Sequence, residues 1–445
     1  VNSLYGFAEL SYKYWLYITG TLRNDWFSTL SPDERSILYP SIATSFVFSD
    51  ALASMMPGWL TNGKLRASYA EVGSDTDVAP YSNNLFYTIN PLFFGSSPLG
   101  GISGSSLPNA ALRPMRVSEW ELGLELEFFN NLSLDVAYYD KTSSDQILNQ
   151  QISSASGYTS RSINVGEAKN RGVEMLLSFS PIRTNKAHWT TSFNASYNTT
   201  KVIDLGTDFG INEITVGTAE YHGELRQVVG MPMNQLYGWG YLRDAQGRQV
   251  FNPNTGVPMR SEEQIAFGTA LPKWVGGITN SFSYGNFSGS FLIDFKLGHK
   301  MISGTHINAY RHGLDKATLV GRDVGYVIGD GVNPDGSINT VRADVQAFYE
   351  AIRSFRGSEQ SVFNAGSWQL RQITLGYDLT NHLQNALPVS RLRVSAVARN
   401  VAVLKKWVPH IHPDQNGIIS DQLMGLEATG LPVTRSIGFT IDVGL

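Results

Sequence analysis

The sequence has no cysteine and little charge. Its 445 residues contain 0 Cys, and Asp, Glu, Lys and Arg make up 16% of the chain, against roughly 25% in an average soluble domain. The absence of cysteine excludes a disulfide framework, a thiolate metal site and a cysteine nucleophile. The low charge is atypical of a soluble enzyme, whose surface is richer in charged side chains.

Two further absences narrow the class of protein. The formal net charge is −4 and the basic residues are scattered, so the chain lacks the basic footprint of a nucleic-acid-binding protein. No apolar run reaches the roughly 18 residues that a membrane-spanning helix needs. Apolar residues nevertheless make up 42% of the chain, which argues against intrinsic disorder. By composition, a soluble all-β protein and a transmembrane β-barrel both remain open.

Several segments alternate apolar and polar side chains, which is typical of β-strands with one apolar face. The clearest segments are 119–128, 189–198, 286–297 and 436–445. A tilted membrane-spanning strand needs about 9–11 residues, whereas soluble strands cluster near 5–6. Aromatic residues stand near the ends of these segments, as in the interfacial girdles of membrane barrels; they are Trp189, Tyr197, Trp274, Tyr284 and Tyr377. The pattern favours a membrane barrel over a soluble sandwich.

The alternation predicts thirteen strands joined by alternately short and long connections. The predicted strands are 3–14, 15–26, 41–50, 63–72, 117–129, 131–145, 168–180, 189–202, 274–284, 286–297, 367–379, 390–401 and 434–445. The long connections are 27–40, 73–116, 146–167, 203–273, 298–366 and 402–433. Outer-membrane barrels have short periplasmic turns and long extracellular loops. We therefore predict an all-β fold, a transmembrane antiparallel β-barrel with long extracellular loops.

The number of predicted strands indicates whether the chain forms a whole barrel or part of one. Bacterial single-chain barrels have an even number of strands, and the last strand descends to the periplasm. With thirteen strands, the first strand descends as well, whereas a complete barrel begins with an ascending strand. We expect residues 1–445 to form the C-terminal part of a larger barrel, with an odd number of strands outside this chain.

Seven segments carry a resemblance to a known family. They are GKLRASYAEVGSD (Gly63–Asp75), NVGEAKNRGVEMLLSF (Asn164–Phe179), VVGMPMNQLYGWGYLRDAQGRQVFNPNTGVP (Val228–Pro258), LPKWVGGITNSFSYGNFSGSFLIDFKLG (Leu271–Gly298), AGSWQLRQITLGYDL (Ala365–Leu379), RLRVSAVARN (Arg391–Asn400) and TRSIGFTIDVGL (Thr434–Leu445). Each is a strand with its turn. In this order and spacing, they make essentially the whole chain similar to the C-terminal barrel region of SusC/RagA-type TonB-dependent outer-membrane transporters.

The resemblance implies transport. Such transporters have a barrel of about 22 strands with a plugged lumen, pair with a SusD-like surface lipoprotein and receive energy from a TonB complex through the plug. It therefore implies an importer of oligosaccharides or oligopeptides in the bacterial outer membrane, with no cofactor and no enzymatic activity. Dimers of transporter–lipoprotein pairs are implied too. The plug domain and the N-terminal strands are expected outside residues 1–445.

Charged residues on the polar strand faces are expected to line the barrel lumen. A Lys or Arg that faces lipid at the mid-plane costs roughly 2–4 kcal/mol, so these side chains belong inside. They are Lys64, Arg66, Glu121, Glu125, Glu127, Arg391 and Arg393. We favour a solvated wall that holds a plug through contacts of mixed sign over direct binding of cargo.

Aromatic residues in the long loops are the candidates for substrate contact. An aromatic ring stacks on a sugar or on an apolar peptide side chain, and loops on a rigid scaffold commonly carry binding. The candidates are Phe93, Phe94, Tyr237, Trp239, Tyr241, Tyr310, Tyr326 and Trp407. For any single residue we favour the alternative, which is packing of loops against one another or against the lipoprotein.

No motif indicates a metal or catalytic site. His410 and His412 would share a strand face near Asp414, but two histidines without a third ligand make a weak zinc site. The segment Asp330–Ser337 lacks the spacing of a calcium loop and is interpreted as a turn. The alternatives to an importer are a passive outer-membrane porin and a secreted all-β carbohydrate-binding or adhesin protein.

Overall fold

The thirteen predicted strands form one sheet in which each strand pairs with the next along the chain. The computed structural model describes residues 1–75, 80, 83–102, 104–219, 223–355, 359–383, 390–415 and 424–444. The strands are β1 (Asn2–Tyr12), β2 (Leu16–Trp26), β3 (Ser36–Val47), β4 (Leu60–Ser74), β5 (Met115–Phe128), β6 (Leu132–Ser144), β7 (Glu167–Arg183), β8 (Ala187–Asp204), β9 (Trp274–Tyr284), β10 (Phe287–Leu297), β11 (Ser367–Asp378), β12 (Arg391–Lys406) and β13 (Ser436–Gly444). The predicted fold class is confirmed.

Short helices occupy several connections. The α-helices are Phe48–Ala51, Gly304–Arg311, Val345–Glu350 and Thr380–Leu383, and the 3₁₀ helices are Ala53–Met55, Ser154–Ser156, Thr207–Phe209, Lys316–Leu319, Ala351–Ser354 and Glu359–Ser361. Within the described residues, none of these helices is long and apolar enough to cross a membrane.

The long connections contain small sheets of their own, which the strand pattern did not predict. Between β8 and β9, a four-stranded sheet consists of Glu213–Ala219, Gly223–Val228, Gln235–Tyr241 and Arg260–Thr269. A three-stranded sheet joins distant connections through Lys300–Ser303, Val362–Asn364 and Leu426–Glu427. The remaining small sheets are Tyr87–Phe94 with Ser97–Ile102, Ile147–Gln151 with Ser160–Asn164 and Ser106–Leu107, and Tyr326–Val327 with Ala343–Asp344.

The chain divides into two compact units. The first unit comprises Val1–Met175 and Thr199–Asn212, and the second comprises Leu176–Asn198 and Glu213–Leu445. The terminal residue Leu445, predicted to continue the apolar face of β13, lies outside the described residues.

In the first unit, the strand register places the apolar residues of neighbouring strands on one face, called the apolar face below. Leu65 lies opposite Leu124, and Tyr69 lies opposite Trp120. Because directly opposed residues of antiparallel strands share a face, the alternation within each strand becomes a continuous apolar surface. Its exposed side chains include Leu4, Leu10, Leu22, Leu38, Ile42, Leu65, Trp120 and Leu122.

The second unit has the same arrangement. Trp189 lies opposite Phe282, and Ala396 lies opposite Phe439. Phe439 is 79% exposed, and the face also exposes Trp274, Phe282, Phe287, Leu375, Ile437 and Ile441. Contiguous apolar surface of this kind is typical of contact with a membrane rather than with water. In a soluble sandwich, the same rows would be buried in the core.

Aromatic rings pair at both ends of the apolar face. In the second unit, Tyr197 and Trp274 have ring centroids 4.7 Å apart at the loop end of β9. At the opposite end, Phe287 and Tyr377 are also 4.7 Å apart. Membrane barrels place aromatic girdles at the two lipid–water interfaces. The pairs therefore mark where a bilayer would end on these strands.

The buried apolar clusters are formed mainly by residues of the connections and of their small sheets. In the second unit, the largest cluster brings together residues from three connections; its members are Ala219, Leu225, Leu236, Ala270, Ile302, Ile307 and Leu426. In the first unit, another cluster comprises Phe27, Leu30, Ile37, Tyr39 and Leu112. The long connections are thus packed structures, which gives their side chains fixed positions.

A charge on the apolar face should prevent stable membrane insertion. Leu124 lies midway between Trp120 and Phe128 on β5, and we expect Leu124→Arg to destabilise the inserted protein by roughly 2–4 kcal/mol. The measurement is the temperature at which the purified full-length protein loses its folded mobility on SDS gels. The matched control is Glu127→Arg on the polar face of the same strand. Equal stability of both variants would contradict a lipid-facing role for this surface.

Candidate functional site

The polar face of the first unit carries a network of ion pairs. Arg66 on β4 donates two hydrogen bonds to Asp135 on β6, from Nη1 at 3.1 Å and from Nη2 at 2.8 Å. Its guanidinium also lies 3.8 Å from Glu121 and 3.7 Å from Glu125, and Lys64 pairs with Glu125. Bidentate arginine–carboxylate pairs are strong and fix the geometry of both partners. Four of the predicted charged residues are therefore brought together, while Glu127 lies further along β5 on the same face.

A glycine makes room for this network. Gly123 on β5 lies directly opposite Arg66, between β4 and β6. A Cβ atom at this position would lie 2.5 Å from Arg66 Nε. The missing side chain therefore lets the guanidinium cross β5 and reach Asp135.

In the second unit, β10, β11 and β12 have the same arrangement of an arginine that crosses a glycine on the intervening strand. Arg393 donates a hydrogen bond to Ser288, and a Cβ atom at Gly376, on the strand between them, would lie 3.1 Å from Arg393 Nε. Arg391 pairs with Asp442 at 2.7 Å. The two predicted arginines thus lie on the polar face; Arg391 is held by the adjacent strand β13, and Arg393 by β10, the next strand but one.

A β-bulge on β11 adds an unexpected arginine to the polar face. The register shifts where Leu292 and Ile293 face Gln372 and Leu370, so Arg371 is the extra residue. A bulge re-aims side chains locally. Arg371 Nε lies 2.6 Å from Asp294, and its Nη2 lies 2.5 Å from Asp414 of the last long connection. The bulge thereby ties a loop to the strand wall.

Asp414 is the centre of this loop attachment. Gln369 Nε2 donates to Asp414 Oδ2 at 3.1 Å, and Lys296 Nζ lies 3.5 Å from Oδ1. Burial alone would raise the pKa of Asp414, but Lys296 and Arg371 outweigh it and hold the pKa below its ordinary value. The carboxylate is therefore ionised, and both of its oxygens face cations or donors.

A cavity of about 200 Å³ opens beside this attachment. Its lining residues are Ala270, Pro272, Lys296, His299, Lys300, Met301, Ala365, Ser367, Pro413, Asp414, Met424 and Gly425, all in the second unit. Burial, and secondarily Lys296, lower the pKa of His299 to about 4, while Asp414 opposes the shift. His299 is therefore a neutral imidazole near pH 7.

A second polar cluster joins the connection between β10 and β11 to the last long connection. Asp315 Oδ2 lies 3.6 Å from His306 Nε2 and 3.2 Å from His410 Nε2. His412 Nδ1 instead accepts a hydrogen bond from the backbone of Asp414 at 3.2 Å. His410 and His412 thus belong to different networks, and their common strand face was a wrong expectation because this segment is irregular. Among the described residues, no three His, Cys, Asp or Glu side chains are grouped to hold a metal ion.

Glu427 is a fully buried carboxylate that anchors the helix Gly304–Arg311. Glu427 Oε2 accepts hydrogen bonds from Ser303 Oγ at 2.8 Å and from the Thr305 backbone at 2.9 Å, and Oε1 accepts from Thr305 Oγ1 at 2.8 Å. A carboxylate at a helix N-terminus satisfies backbone donors that have no partner within the helix. Glu427 therefore positions the start of this helix.

Three of the predicted loop aromatics lie on one strand, Gln235–Tyr241, and are engaged by neighbours. Arg226 lies over the Tyr237 ring at 4.6 Å, and Arg260 lies over the Trp239 ring at 4.2 Å. Tyr241 donates a hydrogen bond to Gln360. These contacts agree with the packing alternative for these three residues.

The other five candidates differ in exposure. Tyr310 packs edge-on against Tyr349 at 5.2 Å, and burial raises the pKa of Tyr310 to about 12. Arg342 lies over the Tyr326 ring at 4.5 Å. By contrast, Phe93 and Phe94 are exposed, and Trp407 is 41% exposed with Lys405 over its ring at 5.0 Å. Phe93 and Phe94 belong to the first unit, and the other six candidates belong to the second.

Sequence reasoning missed the residues that build the loop bases, namely Lys296, His299, Asp414 and Glu427. Lys296 lies at the end of β10, His299 lies in the connection that follows it, and Asp414 and Glu427 lie in the last connection, so no local spacing joins all four. One signal was available: in WQLRQITLGY, the apolar spacing changes from two to three between Leu370 and Ile373, as at a bulge.

Together, an all-β chain with an exposed apolar face and a charged opposite face defines a membrane protein that crosses the bilayer with strands. A family model described as "TonB dependent receptor-like, beta-barrel" matches residues 1–401. The chain belongs to this family of TonB-dependent receptor β-barrels. Such receptors are located in the outer membrane of Gram-negative bacteria, and we assign the chain to that membrane.

Curated relatives and solved structures agree with this assignment. TonB-dependent receptor P39 of Formosa agariphila is 26% identical over 460 residues, covering 92% of this chain and 43% of the relative. TonB-dependent receptor SusC of Bacteroides thetaiotaomicron is 23% identical over 447 residues, covering 96% of this chain and 42% of the relative. The chain thus spans less than half the length of these receptors.

The fold also matches a solved transporter. The structure of the RagAB peptide transporter aligns with a TM-score of 0.75 at 21% sequence identity, over 99% of this chain and 47% of that chain. At this identity, the likeness concerns the fold alone. It confirms the resemblance to SusC/RagA-type barrels.

The Arg66 network should depend on the glycine that it crosses. We expect Gly123→Ala to displace the guanidinium and to lower stability by about 0.5–1.5 kcal/mol, the typical worth of a hydrogen bond. Thermal loss of folded mobility measures the effect. Gly20→Ala on β2 is the matched control, because a Cβ there meets nothing within 4 Å. If Gly123→Ala still destabilised an Arg66→Ala background by the same amount, the network would not be the cause.

The cavity wall should weaken in acid. His299 has a folded-state pKa of about 4, below its ordinary value of 6.5, so unfolded chain takes up the proton first. The contribution of neutral His299 to the free energy of unfolding is therefore fully present above pH 6.5 and is lost as the pH falls towards 4. We expect hydrogen exchange in Lys300–Ser303 to accelerate over this window, after correction for intrinsic rates, and His299→Gln to flatten the dependence. His382 is exposed, and the control variant His382→Gln should leave the pH dependence unchanged. Identical pH profiles for wild type and His299→Gln would refute the assignment.

Proposed function

We propose that the chain is part of the barrel of an energy-dependent importer that takes oligosaccharides or oligopeptides across the outer membrane. The observation that carries the proposal is the exposed apolar face that the strands of each unit present, in a chain of the TonB-dependent receptor family. A lipid-facing outer surface leaves the charged face for an aqueous interior. The relatives are receptors and transporters by name, which supports transport over enzymatic catalysis.

We propose that residues 1–445 are the C-terminal part of a larger barrel, with a plug that contacts TonB encoded elsewhere in the protein. The odd number of strands and the 42–47% share of the relatives' length support this proposal. A SusD-like lipoprotein is the proposed partner at the loop side, and a dimer of such pairs is the proposed assembly. The named relatives SusC and RagAB support this choice of partner.

The proposed interior surface is the polar face. Lys64, Arg66, Glu121 and Glu125 form a network of ion pairs together with Asp135, which supports a structural role in the wall. Of the loop aromatics, we propose Phe93, Phe94 and Trp407 for contact with cargo or with the lipoprotein, because their rings are exposed. The partners of Tyr237, Trp239 and Tyr241 support packing roles.

The alternatives make different predictions. A passive porin would admit cargo without an energised inner membrane. A secreted all-β binding protein would bury its apolar strand faces in a core, and the exposed rows of Phe, Leu and Trp argue against it.

Uptake by intact cells tests the proposal. Labelled oligosaccharides and oligopeptides are supplied to the source bacterium, to a strain lacking the gene and to the complemented strain. We expect uptake of one cargo class to require the gene and to stop when a protonophore collapses the proton gradient, because TonB action depends on that gradient. Uptake that requires the gene but persists with the protonophore would favour the porin. Uptake unaffected by the deletion would refute the importer.

A further inference from the structure

The cavity beside Asp414 has features of a small ligand site. It lies where β10 ends and β11 begins, since Lys296 and Ser367 are directly opposed on these strands. Both residues lie on the polar face. At about 200 Å³, it is smaller than the 300–1,000 Å³ typical of pockets for drug-sized ligands. Its volume therefore suits one terminal residue of an oligomer and not the whole chain.

The charge around the cavity is positive after internal pairing. Arg371 lies between Asp294 and Asp414 at 2.6 and 2.5 Å, and these three groups together carry one negative charge. Lys296 and Lys300 both line the cavity and add two positive charges. With His299 neutral, the sum is one positive charge, and it favours an anionic ligand.

The Asp414 carboxylate, which lines the cavity, already has partners at both oxygens. Asp414 Oδ2 accepts a hydrogen bond from Gln369 and an ion pair from Arg371, and Oδ1 faces Lys296. A cationic ligand would have to displace these partners. An anionic ligand would instead be attracted by Lys296 and Lys300, which both line the cavity. Only Lys296, whose contact with Asp414 is 3.5 Å long, would need to change its rotamer.

A buried nitrogen also lacks a partner at this site. His299 Nδ1 is buried and has no hydrogen-bond partner among the described residues. A buried polar atom without a partner costs free energy, so such groups are usually satisfied in the functional state. A ligand that bears a hydroxyl or an amide next to its anionic group would supply the missing hydrogen bond.

We propose that this cavity binds a terminal carboxylate-bearing residue of the cargo, with the carboxylate at Lys296 and Lys300 and a neighbouring polar group at His299. The inference rests on the proposed import function, because it places the subsite on the face assigned to the interior. The same chemistry is offered by a uronic acid at the end of a glycan and by the C-terminal residue of a peptide. Met301 and Met424 supply the apolar wall against which either residue would pack.

Direct binding to the purified full-length protein in detergent tests the site. The probes are D-glucuronate, with methyl glucoside as its neutral counterpart, and N-acetylalanine, with N-acetylalanine amide. Calorimetric titration should show that at least one acid binds about tenfold or more tightly than its neutral counterpart. Preference for glucuronate would identify a sugar acid, and preference for N-acetylalanine would identify a peptide terminus. Binding of both would support the shared carboxylate chemistry.

Variants assign the binding to the cavity. Lys300→Gln should weaken binding of the acid about tenfold, and Lys300→Arg should retain most of it because the charge is kept. Lys316→Gln, an exposed lysine outside the cavity, is the matched control. Absence of acid-selective binding, or equal weakening by Lys300→Gln and Lys316→Gln, would overturn the inference. The binding assay needs neither TonB nor the lipoprotein, so a negative binding result would overturn the cavity proposal without deciding the uptake test. If acid binding is intact but uptake fails, the result counts against the importer alone.

Discussion

Contact between lipid and one face of every strand is the constraint on which the rest of the structure depends. Lipid offers no hydrogen bonds, so the backbone must pair strand to strand and the outward side chains must be apolar. Leu65, Leu122 and Phe439 are exposed for this reason. All charge must then be placed on the opposite face or at the ends of the strands, which explains both the low charge content and the dense pairing of the charges that remain.

The polar face meets this demand by combining arginines with glycines. Arg66 and Arg393 have long side chains that lie along the sheet. Arg66 crosses Gly123 and Arg393 crosses Gly376, and each reaches a partner on the next strand but one. The arginines therefore act as cross-links parallel to the sheet. At Arg66 the arrangement also pairs the charge, with Asp135, and at both places it links a strand to the next strand but one.

The loops in turn are small folded structures. Buried Leu225, Ile302 and Leu426 join segments far apart in the chain, while Glu427 and Asp414 tie the same segments together through hydrogen bonds and ion pairs. Because both kinds of contact converge at the ends of β10 and β11, the cavity beside Asp414 has a fixed wall. A site built this way can discriminate a ligand without a large rearrangement.

The sequence by itself determined the strands and their faces. A period of two is a local property, and in a membrane each strand must show it, so segments such as 286–297 could be recognised one at a time. The exposed Phe93 and Phe94 and the polar-face Lys64 and Arg66 were likewise predictable as surface residues. Only the tertiary structure decided which charges meet, that Tyr237 is covered by Arg226, and that Lys296, His299 and Asp414 surround one cavity. The physical reason is that these contacts join residues up to 118 positions apart, and a local pattern holds no information about which loops pack together.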